Sequence, residues 1–131
     1  MPRSSILIPL IYVRTMLCCM HTVDKTEYPQ RSQPTGTWQW INSVGGIAGH
    51  MTPETAGYTQ TMVLTENDMY KLYRDDSLVV LGVYSYIYDR GLLIIRAQSQ
   101  FEYSITITDD TLKMDMINIL DGYSHTYIRS R

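Results

Sequence analysis

The feature that most constrains this chain is a repeat of short alternating segments broken by Asp-rich turns. Residues 58–65 place Tyr58, Gln60, Met62 and Leu64 on one side and Thr59, Thr61 and Val63 on the other. Glu66-Asn67-Asp68 then turns into residues 69–74, and Asp75-Asp76 turns into residues 78–88, with Val80, Gly82, Tyr84, Tyr86 and Tyr88 sharing a face. Asp89-Arg90-Gly91 leads into residues 92–98. A segment over 101–108 follows, aligning Phe101, Tyr103, Ile105 and Ile107. Asp109-Asp110 precedes Leu112, Met114 and Met116, and Asp121-Gly122 precedes residues 123–129. Alternation with period two is the signature of a half-buried strand. Connectors this short join antiparallel neighbours, because a parallel pair needs a long crossover.

A further strand precedes these. Trp38 and Trp40 are the two tryptophans of the chain, and their spacing puts both on one side of a strand. Gly36 permits a tight entry, and Val44-Gly45-Gly46-Ile47-Ala48-Gly49 ends the strand. Residues 44–56, with Gly49 and Thr52-Pro53, read as a long Ω-type connection. That makes eight strands with centres roughly 9–12 residues apart, as in an all-β meander. The expected fold is an eight-stranded antiparallel up-and-down barrel, which leaves no edge exposed. A two-sheet β-sandwich is the alternative. Trp38, Trp40, Phe101, Tyr103 and several Met are expected to fill the interior.

Composition agrees. Eleven Tyr against a single Phe suits a pleated wall with a wet rim. A net charge of −2 offers no electrostatic footprint for nucleic acid. Three parts follow: residues 1–20 a targeting segment, 21–35 a polar linker, and 36–131 the barrel, long enough for one modest core. In the first part, Arg3 precedes the apolar run from Ile6 to Val13, which is short of the roughly 20 residues a membrane span needs. The two cysteines of the chain, Cys18 and Cys19, stand just beyond and are candidate sites of a lipid anchor to a membrane. An ordinary signal, or an N-terminus extended past the true start, remains open. The linker, with Pro29 and Pro34 and no period, reads as a tether.

Gly36-Thr37-Trp38 resembles the Gly-x-Trp signature that opens the first strand of lipocalins, and Arg129 resembles their late arginine, which stacks across that tryptophan. The chain is most similar to small lipocalin-like lipoproteins of Bacteroidetes-type bacteria. The residues that carry this are Trp38/Trp40, Gly45-Gly46, Thr52-Pro53, and Asp121-Gly122-Tyr123 with Tyr127 and Arg129. The resemblance implies a barrel closed by its first and last strands, structural roles for Gly36, Trp38 and Arg129, and a place in the cell envelope. It also implies a binding role toward a small apolar or aromatic ligand at the barrel mouth, without enzymatic activity.

Catalytic signatures are not what this sequence offers. It carries no Gly-x-Ser-x-Gly, phosphate loop or dinucleotide fingerprint. His21, His50 and His125 lack the spacing of a metal site, and no cofactor is expected. Asp75-Asp76 and Asp109-Asp110 read as turn residues. Trp40, Tyr84, Tyr86 and Tyr103 are the candidate ligand-binding residues, because flat rings on one barrel wall can stack a flat molecule. The protein is expected to be a monomer. Where the barrel is filled by its own side chains, the alternative is a surface protein that acts through its rim loops.

Overall fold

The computed structural model describes residues 33–131; the 1–20 segment with Cys18 and Cys19, and the linker up to residue 32, lie outside the described residues. The strands are β1 (Gly36–Gly45), β2 (Gly49–Met51), β3 (Gln60–Leu64), β4 (Met69–Arg74), β5 (Ser77–Ile87), β6 (Leu92–Arg96), β7 (Gln100–Thr108), β8 (Thr111–Met116) and β9 (Ser124–Arg129), with a one-turn helix α1 (Pro53–Ala56) after β2. Each strand from β3 to β9 pairs antiparallel with its predecessor in the meander, and β9 pairs back onto β1. Eight strands thus close into a barrel, and the sandwich is excluded. β2 is a ninth strand, held only by the far half of β1.

The register defines two ends. Trp38 lies opposite Arg129, Gly36 opposite Leu64, and Thr111 opposite Ile128, at the lower end. Val44 lies opposite Ser124, and Gln60 opposite Arg74, at the upper end. Turn chemistry follows the Asp signals: Asp68, Asp75, Asp76, Asp109 and Asp121 all adopt positive φ. Asp tolerates that region because its short side chain bonds the local backbone. Asp75 also accepts from the Thr59 amide at 2.9 Å, tying two upper turns together.

The core is filled from the bottom. Trp38, Met62, Leu64, Leu93 and Leu112 are fully buried, with Ile95, Ile105, Met114 and Tyr127 above or beside them. The Arg129 guanidinium lies 4.2 Å from the Trp38 ring centroid, the stacking that closes the floor. Trp38 Nε1 donates to the Pro34 carbonyl at 2.7 Å, while Arg129 donates to the carbonyls of Thr35 at 2.9 Å and Gln33 at 3.1 Å. Gly36 has φ +142°, and a Cβ there would stand 2.7 Å from Arg129 Nη1, so a side chain would push the arginine off its stack.

Four sequence expectations need correction. Residues 33–35 belong to the barrel rather than the linker: Pro34 is buried and all three carbonyls there are bonded. They contribute backbone acceptors, which composition does not reveal. The stretch 44–56 is not an irregular loop. β1 runs on to Gly45, β2 folds back on it, and Thr52 and Thr55 form a reciprocal cap on α1. Phe101 is 37% exposed, because β7 starts at the rim and its first inward position overshoots the core. β5 stops at Ile87, and Tyr88 enters a 3-10 turn, where Tyr86 meets it edge-on at 4.5 Å.

Candidate functional site

The upper end differs from the floor because β1 carries a bulge. Trp40 pairs with Tyr127 and Asn42 with Thr126, so Ile41 is an extra residue. Strict alternation from Trp40 would turn Asn42 inward. The bulge turns Ser43 inward instead, where it is 5% exposed. Trp40 Nε1 donates to Ser43 Oγ at 2.8 Å, and Ser43 Oγ lies 2.6 Å from His125 Nδ1. Ser43 Oγ has these two side-chain partners. With Trp40 donating to Oγ, assigning the hydroxyl proton to the bond with Nδ1 places the histidine proton on Nε2. Burial holds His125 below the usual imidazole range, with the Asp115 charge opposing that shift.

Above this relay lies a pocket of about 180 Å³, lined by Trp40, Ser43, Met51, Tyr58, Gln60, Arg74, Tyr123 and His125. Trp40, Tyr58 and Arg74 meet on one side. Trp40 and Tyr58 lie 5.7 Å apart at 21°, and the Arg74 guanidinium sits 4.2 Å above the Tyr58 ring. The other wall is Tyr123 stacked on His125, 5.8 Å apart at 14°. Gly46, at φ +63°, makes room for that wall: a Cβ there would meet the Tyr123 ring at 2.7 Å. Gln60 donates to the Tyr127 hydroxyl at 3.1 Å, and burial pushes that phenol far above its ordinary range. The pocket floor is therefore polar, neutral and already hydrogen-bonded, with aromatic sides.

A second depression, about 350 Å³, lies between the start of β7 and the segment after β8, bordered by Phe101, Glu102, Met116 and Ile119. Its border includes exposed side chains, with Phe101 at 37% and Ile119 at 52%. The pocket over Ser43 is instead floored by the buried Trp40 and Ser43 of β1, with Met51, Tyr58, Gln60, Arg74, Tyr123 and His125 around it.

The sequence candidates divide between the two ends. Trp40 lines the pocket. Tyr103 lies behind it, 6.3 Å from the His125 ring, and is itself raised in pKa by burial. Tyr84 is at the lower end, donating to the Thr65 carbonyl at 2.8 Å, and Tyr86 stands beside Tyr88. These two do not join Trp40. Ser43, Arg74, Tyr123 and His125 were not among the candidates. The alternation of residues 58–65 put Gln60 on one side with Met62 and Leu64, but which residues meet at one mouth depends on register and stagger.

Among the described residues, no group of three His, Cys, Asp or Glu is placed to hold a metal ion. Comparison with protein-family models, curated proteins and solved structures gives no match, so the architecture and the pocket stand on their own geometry.

Proposed function

We propose that this protein is a lipocalin-like binding module that takes one small ligand at the upper mouth of the barrel. The observation that carries this is the pocket over Ser43, walled by two ring stacks and roofed by no strand. Ligand sites are concave and largely apolar, with a few fixed polar groups that set orientation. Trp38, Met62, Leu64, Leu93 and Leu112 occupy the barrel as fully buried side chains, so the ligand rests on the core and does not enter it. This reading requires no catalytic group and no cofactor, and it fits a monomer. Native mass spectrometry of protein purified from its own source tests it. A retained small molecule, lost in Tyr58→Ala, supports the reading; an empty pocket that also takes up no added aromatic ligand refutes it.

The sequence resemblance further supports export to the cell envelope, with Cys18 or Cys19 carrying a lipid that ties the chain to a membrane. Metabolic labelling with a palmitate analogue tests this: the label should vanish when both cysteines are replaced by Ser.

A second reading has its own observation. Ile47 is fully exposed, Leu120 is 94% exposed, and both stand at the pocket end of the barrel. Rim loops that present apolar tips suit recognition of a larger partner. Ile47→Ser with Leu120→Ser separates the two readings, since small-ligand uptake should survive it and rim recognition should not.

A further inference from the structure

We infer that the ligand class of the upper pocket is a small planar anion, an aromatic or conjugated carboxylate of one or two rings. The inference rests on the binding-module reading and adds to it the charge and shape of the ligand. Shape comes from the walls. The rings of Trp40, Tyr58, Tyr123 and His125 line the pocket in two stacked pairs, and such a lining is best filled by another flat group. Size comes from the volume: about 180 Å³ is below the range that holds a drug-sized molecule.

Charge comes from the donors. Arg74 is the last residue of β4 and stands on the same side as the inward Tyr70 and Leu72. Its guanidinium carbon lies 4.2 Å from the Tyr58 ring centroid, and among the described residues it has no hydrogen-bond or carboxylate partner. The carboxylate next in sequence, Asp75, is engaged with the amide and hydroxyl of Thr59. His125 supplies the second donor. With Nδ1 taken by Ser43, its Nε2–H has no partner among the described residues. No buried side-chain nitrogen or oxygen there lacks a partner, so Nε2 is an accessible atom. The lining thus offers a fixed cation and an unspent N–H, and it contains no Asp or Glu. Asp115, the acid nearest His125 in effect, is bonded to Ser124. Such a site favours an acceptor-only group and rejects a ligand cation. A planar guanidinium placed over the Tyr58 ring suits a carboxylate in two-point contact.

The test compares 2-naphthoate with its neutral isostere 2-naphthamide by calorimetry at pH 7.5, on the full chain and on Arg74→Gln. Arg74 is exposed at a strand end, so its replacement leaves the core untouched. The wild type should bind the anion about tenfold more tightly than the amide, the scale of one charge-assisted pair. Arg74→Gln should bring the two affinities together by weakening the anion alone. Equal affinity of both probes in the wild type, or a preference that survives in Arg74→Gln, overturns the anion assignment and leaves the binding module standing. Aromatic-resonance NMR on the same samples covers the remaining case: if neither probe shifts the Trp40 indole or the His125 ring, both the anion assignment and the pocket as a binding site fall.

Discussion

Two side-chain pairs, one at each end of the barrel, have opposite sensitivities. At the floor, Arg129 lies on Trp38 and donates to two carbonyls. Trp38→Ala should cost about 3–5 kcal/mol by opening a large core cavity. Arg129→Lys keeps the charge but loses the flat surface, so it should cost less. A double-mutant cycle by urea unfolding should give a coupling of about 0.5–2 kcal/mol, and strict additivity would refute the pairing. At the mouth, the relay from Trp40 through Ser43 requires a neutral His125. Burial lowers the folded pKa of His125 relative to the unfolded chain, so the unfolded state takes up the proton first. The stability from this group is complete above the unfolded value, about 6.5, and is lost as pH falls from there toward the lower folded value. Urea midpoints should therefore drop between pH 7 and about 5, before most carboxylates titrate. His125→Gln should flatten that slope; an unchanged slope would place its origin elsewhere.

Elements differ in how far the chain alone reveals them. The strands from β3 to β9 were legible almost residue by residue, because alternation and Asp turns agree. Phe101 shows the limit: its period was right, but its height on the barrel is set by stagger, which no single segment encodes. The bulge at Ile41 was equally hidden, and without it Ser43 would face outward. β2 was missed because three residues carry no period, and the glycines around them read as loop. Its pairing to β1 alone makes it the weakest strand. In hydrogen exchange, the amides of Gly49–Met51 should open earliest among the strands, while those of residues 36–40 last longest. Equal protection would mean that β2 is tied to the barrel by more than its single ladder.

For the molecule as a whole, the closing seam is the decisive contact. β1 and β9 meet along their length, and residues 33–35 seal their lower end. A chain that begins at Gly36 should be less stable than one that begins at Gln33 by about 2–4 kcal/mol, since at least four hydrogen bonds disappear, two of them donated by a guanidinium. Equal thermal midpoints for the two chains would contradict the assignment of residues 33–35 to the barrel. The same seam has a topological consequence. A ring of strands has no first member, and here the polypeptide enters and leaves the ring at one place, with Arg129 bonded directly to the Gln33 carbonyl. A short peptide bridging those points, with the chain reopened at Asp75-Asp76, would preserve every ladder except the turn it cuts. What it would change is the entropy of closing the ring. The β1–β9 contact, now the most distant in sequence, would become local, and the β4–β5 ladder would inherit the long search.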